Sequence, residues 1–188
     1  MVTCLAHPGT DRIAVRSGKF CNLGIGTGRW ARHVAPKLER ELHLVDHSPW
    51  IVNFARKYFH SHSNVRIHLN NGFSFPFSQR FRLDLIFSFG TFTELKLGLF
   101  YLYSREFFRF LRPGGYCVID YIDVTTPEGW NWLETASNEL YANCYTYHSR
   151  EVVERVFSSA GFEIIKVIKG SPIAGLIFLT VKKPNLSG

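Results

Sequence analysis

The 188-residue sequence predicts an α/β fold, a doubly wound sheet of seven strands, mostly parallel and ending in an antiparallel C-terminal hairpin. Three observations predict it. A short strand-like run, Lys19 to Leu23 with Phe20, Cys21 and Leu23 apolar, leads straight into Gly24, Gly26 and Gly28 on alternate positions. Short apolar runs then alternate with segments of helical periodicity, the pattern of βα units and a parallel sheet. Finally, Lys169 to Gly175, between the last two apolar runs, is too short for a crossover helix, so those runs pair antiparallel.

The elements follow in order. After the first strand, Ala31, Val34, Ala35 and Leu38 recur at i, i+3, i+4 and i+7, the stripe of a helix packed on a sheet. Leu42 to Asp46 is the second strand. Ile51, Val52, Ala55, Tyr58 and Phe59 repeat the helical stripe, with Ser48 and Pro49 suited to N-cap and first helical position. Asn64 to Leu69 and Arg82 to Phe89 read as the third and fourth strands, Leu99 to Leu111 as a helix, and Tyr116 to Ile122 as the fifth strand after a Pro113-Gly-Gly turn. Asp123 to Tyr147 lacks a regular pattern but carries Trp130, Trp132, Tyr141, Tyr145 and Tyr147, which reads as a lid beyond the fifth strand or as core under a long connection. Val152, Val153, Val156, Phe157 and Ala160 form a last helical face, with Ser149 a plausible N-cap. Strands near Phe162 to Ile168 and Leu176 to Lys182 complete the set.

Composition bounds the function. With 46% hydrophobic residues the chain is long enough for one domain with a sizeable core. No apolar run approaches the roughly 18 residues of a spanning helix, and no signal pattern opens the chain, so a soluble cytoplasmic protein is expected. Cys4, Cys21, Cys117 and Cys144 lack C-x-x-C spacing, which favours buried free thiols over disulfides or a metal site. The net charge of +7 is scattered, with no block longer than Lys182-Lys183, so it reads as surface solvation and a nucleic-acid partner is not expected. The oligomeric state is not legible.

The glycine segment carries the chemistry. Glycine lets backbone approach a ligand and adopts positive φ freely, and the helix that follows turns free N–H groups towards whatever sits in the turn. Asp46, at the end of the second strand, could accept hydrogen bonds from ribose hydroxyls. An adenosine-containing ligand is implied. The dinucleotide fingerprint G-x-G-x-x-G fails at Arg29, which disfavours a nicotinamide oxidoreductase.

Gly24-x-Gly26-x-Gly28, Asp46, Asn70-Asn71-Gly72, Leu83 to Phe89, Leu111-Arg-Pro-Gly-Gly115 and Ala160-Gly-Phe162 resemble, in this order, the motifs of the class I S-adenosylmethionine-dependent methyltransferases, a Rossmann-like family. The resemblance covers residues 18–183 as a methyltransferase domain, with residues 1–17 as an N-terminal extension and 184–188 as a tail. It implies S-adenosyl-L-methionine as cofactor, bound by Asn22, Gly24, Gly26, Gly28, Asp46, His47, Asn71, Gly72, Phe73 and Ser88. Asn22 and Asn71 stand where the family usually has acids. Restoring a carboxylate at either is expected to tighten cofactor binding by about 1 kcal/mol, most at Asn71; where the surroundings are adapted to a neutral amide, the new carboxylate is instead expected to lower stability by about several kcal/mol with no gain in affinity. The N-terminal stretch is also short for the family.

On the acceptor side, Glu94, Asp123 and His148 are the candidate bases, each with a plain structural reading beside it: a helix-opening acid, a strand end and a helix-entering residue. Ser88-Phe-Gly-Thr lacks the Asn or Asp followed by Pro-Pro and an aromatic that marks family members acting on base amino groups. The wording of residues 26–50 and 81–122 looks most like bacterial methyltransferases of sugars and secondary metabolites. The expected reaction is methyl transfer to an oxygen or nitrogen of a small-molecule acceptor. The competing expectation is a degenerate, non-catalytic relative serving as a binding or scaffold module.

Overall fold

The computed structural model describes residues 18–137, 144–170 and 175–185. Its main sheet runs in the order β3-β2-β1-β4-β5-β8-β7, built from β1 (Phe20–Leu23), β2 (Leu42–Asp46), β3 (Val65–Leu69), β4 (Leu83–Ser88), β5 (Leu111–Asp123), β7 (Glu163–Lys169) and β8 (Leu176–Lys182). The pairs among β1 to β5 are parallel, whereas β8 is antiparallel to both β5 and β7. The short last connection thus folds the chain back as expected. An eighth, two-residue strand, β6 (Tyr147–His148), adds parallel to the far end of β5.

Helices cover both faces. Beneath one lie α1 (Ala31–Val34) and α2 (Pro49–Tyr58), packing Ala31, Val34, Ala55 and Phe59 on Phe20, Leu85 and Phe87. The other carries α3 (Leu97–Phe110) and α5 (Arg150–Ser159), which bury Phe100, Phe107, Phe110, Val153 and Phe157 with Phe92 and Tyr121. Each fully buried Phe contributes about 1.5–3 kcal/mol of apolar burial. Two of the expected caps are present: Ser48 Oγ accepts from Ile51 N–H at 3.4 Å and Ser149 Oγ from Val152 N–H at 3.3 Å.

Three features differ from the sequence reading. The first helix keeps its predicted face, with Ala31, Val34, Ala35 and Leu38 all buried, but tightens into a 3-10 turn at Ala35–Lys37. Pro36 is the reason, because its ring clashes with a preceding carbonyl and it has no N–H to donate. β5 starts at Leu111 rather than Tyr116, and its pairing with β4 jumps from Leu83↔Leu111 to Leu85↔Tyr116, so the Pro113-Gly-Gly segment is a bulge inside the strand. The connection after β5 contains α4 (Pro127–Ser137), bearing Trp130 and Trp132.

Cys21 and Cys117 are buried free thiols, whose burial pushes both pKa values well up, and Cys144 is exposed. Cys4, Tyr141 and most of the predicted extension and tail lie outside the described residues. No helix among the described residues is long and apolar enough to cross a membrane.

Candidate functional site

The ends of β1, β2 and β4 meet at the glycine turn. Gly24, Gly26 and Gly28 all have left-handed φ, +76°, +52° and +76°. The turn is fixed from below: Gly24 N–H continues the ladder to Val45 O at 2.8 Å, and Gly28 N–H closes onto Ile25 O at 2.9 Å. A Cβ added at Gly24 would lie 1.8 Å from Thr91 Oγ1, so this glycine gives room to the loop after β4. A Cβ at Gly26 would meet nothing within 4 Å among the described residues. Gly26 therefore turns a bare Cα towards open space, which is the room a ligand needs.

Asp46 forms the rim. It is only 7% exposed, and its Oδ2 accepts from Ile25 N–H at 2.8 Å and more weakly from Gly26 N–H at 3.4 Å, while Oδ1 accepts from Ser48 N–H at 2.9 Å. The carboxylate thus ties β2 to the glycine turn and leaves one of roughly four lone-pair sites free. His47, largely exposed, sets Nδ1 3.7 Å from Asp46 Oδ1. Its Cβ is 3.8 Å from the Cβ position of Gly72, which brings the loop after β3 to the same rim. Phe73 in that loop is exposed.

The two asparagines differ in the sense of their bonds. Asn22, 1% exposed between β1 and β4, donates Nδ2–H to Leu23 O at 3.3 Å and Phe87 O at 3.4 Å. Asn71 accepts instead, its Oδ1 taking Phe73 N–H at 3.1 Å and the Ser74 N–H and Oγ–H at 2.9 and 3.0 Å. That oxygen is already filled by its own turn. The neighbouring Asn70 has a buried Oδ1 without a hydrogen-bond partner among the described residues, a feature the sequence did not announce. Ser88 is fully buried behind the turn, donating Oγ–H to Leu23 O at 2.8 Å.

On the acceptor side, Thr146 staples the segment before α5 to the loop after β4: its N–H reaches Thr93 O at 2.7 Å and its Oγ–H reaches Leu95 O at 2.8 Å. The staple sets Glu94 and His148 on adjoining segments. Partial burial raises the Glu94 pKa. Burial lowers that of His148, whose ring packs edge-on to Phe100 at 4.6 Å with Nε2 3.4 Å from Leu95 O. Asp123 is 3% exposed, and its Oδ1 accepts from Thr125 N–H at 3.0 Å and Oγ–H at 2.6 Å, a turn that launches α4. Trp132 of α4 packs edge-on to Tyr145 at 5.6 Å, and Trp130 is 54% exposed. No group of three or more His, Cys, Asp or Glu among the described residues could hold a metal ion.

A methyltransferase-domain family model matches residues 20–115, from β1 to the bulge in β5. The chain belongs to this family. Its sheet, with the antiparallel β8 inserted between β5 and β7, is that of the class I S-adenosylmethionine-dependent methyltransferases. No curated protein matches the sequence. Among solved structures it is similar to the [4+2]-cyclase SpnF (TM-score 0.72, 16% identity, 90% of this chain and 76% of that one). It is also similar to the S-adenosylmethionine-dependent methyltransferase SibL (0.74, 17%, 90% and 51%). A third is an S-adenosylmethionine-dependent methyltransferase from Clostridium acetobutylicum ATCC 824 (0.70, 14%, 89% and 84%). The chain thus spans about half the length of SibL, and at these identities the likenesses concern the fold.

Thr91 was not singled out from the sequence, although it touches the glycine turn of this methyltransferase domain. Nor was Asp120, a buried acid in the apolar run Tyr116 to Ile122, although an unpaired acid in a strand is a signal a sequence does carry.

Proposed function

We propose that the chain binds S-adenosylmethionine across the ends of β1, β2 and β4 and transfers its methyl group to an oxygen or nitrogen of a small-molecule acceptor. The observation that carries this reading is the open space above Gly26, bounded by three left-handed glycines and the Asp46 carboxylate. The cofactor, when bound, supplies an activated methyl group on a sulfonium. The protein's share is positioning and proton removal. Gly24, Gly26 and Gly28 keep side chains away from the amino-acid end, and Asp46 offers its remaining lone pair to a ribose hydroxyl. His47, Asn71, Gly72 and Phe73 flank the adenine. Ser88 holds the floor through Leu23 O.

Glu94 is the preferred base: it lies on the loop after β4, two residues beyond the buried Phe92 and beside the Thr146 staple, and partial burial raises its pKa. His148 stands second. Asp123 stands last, since Thr125 already uses its carboxylate. The aromatic residues of α4 and the segment from Tyr145 to Tyr147 form the side of the cleft where an apolar or sugar-like acceptor would lie.

Calorimetric titration with S-adenosylmethionine and with its demethylated product tests the cofactor site. Mass spectrometry for one added methyl group on a panel of hydroxyl and amine acceptors tests the reaction. Absence of heat up to millimolar ligand would leave a non-catalytic binding module as the better reading, and the similarity to a cyclase keeps fold and reaction separate questions.

Asp46→Ala checks the rim. Losing a charged acceptor for hydroxyl donors is expected to weaken cofactor binding by about 1.5–3 kcal/mol. Because the same carboxylate takes the Ile25 and Ser48 amides, the melting temperature should fall as well. A loss of stability with unchanged affinity would restrict Asp46 to a scaffold role.

A further inference from the structure

Asp120 lies in β5 with 4% exposure, within the otherwise uncharged run Tyr116 to Ile122. Its two carboxylate oxygens converge on one donor, the N–H of Gly90, at 2.8 and 3.0 Å. Gly90 has φ +77° and is the second residue beyond β4. The next residue, Thr91, reaches Leu23 O with its Oγ1 at 3.4 Å and leaves no room for a Cβ on Gly24. The loop is therefore gripped by β5 at Gly90 and rests on the glycine turn one residue later. A displacement of Gly90 must move Thr91, and Thr91 cannot move without changing its contact with Gly24.

We propose that Asp120, acting through the Gly90 amide, is a positioning residue for the glycine turn, and that its grip is stronger when the carboxyl is ionised. This rests on the reading of that turn as the cofactor site. An N–H to carboxylate bond is roughly twice as strong as its neutral counterpart, so protonation slackens the link without breaking it.

Among the described residues no charged group stands against the carboxyl. From β4 it faces Gly90 and the Phe89 ring, which packs against Phe178 of β8 at 5.6 Å and Trp30 at 5.0 Å. Strand pairing puts Phe178 opposite Asp120 and places Thr180 with Lys166, then Tyr116 with Lys182 and Glu163, farther along the same face. Lys182 sits over the Tyr116 ring at 5.9 Å, and Arg29 over Trp30 at 5.9 Å. Burial pushes the Asp120 carboxyl up to about 7, opposed by the Gly90 N–H and its own. The change of state consequently falls at neutral pH.

The test follows the Gly24 and Gly90 amide resonances of the 15N-labelled wild type from about pH 5.5 to about pH 8.5, and measures S-adenosylhomocysteine affinity over the same range for wild type and Asp120→Asn. Both amides are expected to titrate together with a midpoint near 7, and wild-type affinity to rise about fivefold, the gain from one strengthened hydrogen bond. Asp120→Asn keeps an acceptor of the same shape and should lack that component. The histidines at the site are common to both proteins, so the difference between the two profiles isolates Asp120. Identical profiles, or a Gly24 amide that stays still while Gly90 titrates, would overturn the proposal. Failure of the wild type to bind S-adenosylhomocysteine at every pH would instead reject the cofactor reading, with the coupled amide titration still deciding the link from Asp120 to the turn.

Discussion

Gly26→Val is expected to abolish cofactor binding while leaving a folded protein. Apart from its chain neighbours, the substituted side chain meets no atom of the described residues within 4 Å of its Cβ, so none of their packing has to move. Its methyl groups fill the space above the turn, where the methionine end of the cofactor is to lie. The protein loses only the strain of holding a β-branched residue at φ +52°, about 1–2 kcal/mol or somewhat more. For a domain of this size that lowers the melting temperature by less than about 10 °C. Gly24→Val provides the contrast. Its Cβ would lie 1.8 Å from Thr91 Oγ1 and 2.9 Å from Thr91 Cβ, so binding and stability should fall together. Calorimetry and thermal melts on the two variants separate a site effect from a fold effect. Retained affinity in Gly26→Val would end the assignment of the turn to the cofactor.

Both glycines were visible in the sequence, but not the different reasons for them. Spacing announces a turn; only packing tells that Gly24 yields to Thr91 and Gly26 to empty space. The same division runs through the fold. α2 and α5 were legible because each buries one face, so its period survives in the apolar residues, and because Ser48 and Ser149 mark their starts; the central strands were legible as short, nearly continuous apolar runs buried on both faces. α4 was not legible. Its buried residues are Gly129 and Ala136, and Gly129 presses so closely on the Asp123 carbonyl that a Cβ there would stand 1.9 Å from the oxygen. A helix seated through small residues has no apolar stripe to detect. Among the site residues, Asp46 was found at the right strand end, yet its use of the Ile25 amide to tie two strands together is a long-range fact. Asp123 was named as a possible base because an acid at a strand end has two futures; that Thr125 bonds its Oδ1 is a local fact the strand pattern does not announce.

Asn22→Asp should destabilise the protein strongly and leave cofactor affinity no better, the second of the two outcomes the sequence left open at this place. The Asn22 amide is a donor here, giving N–H to the carbonyls of Leu23 and Phe87 from a site 1% exposed. An ionised carboxyl has no proton to give. It would turn an oxygen towards two carbonyl oxygens and bury a charge among β1, β2 and β4, so a loss of about 2–4 kcal/mol is expected. The loss carries a pH signature. Burial beside carbonyls favours the protonated acid, so the folded variant binds more protons than the unfolded chain above about pH 4, and stability falls as pH rises through that range. The gap in melting temperature between Asn22→Asp and the wild type should therefore widen from about pH 4 to about pH 8, the pH dependence of Asp120 and of the buried histidines being common to both proteins. Asn71→Asp serves as the internal control. Its oxygen already accepts from Phe73 and Ser74 at an exposed position, so a carboxylate keeps every bond and strengthens them, with a change of a few tenths of a kcal/mol. An Asn22→Asp variant that melts like the wild type and binds the cofactor more tightly would return both asparagines to the status of missing acids; the expected result makes Asn22 a neutral hinge pin between β1 and β4.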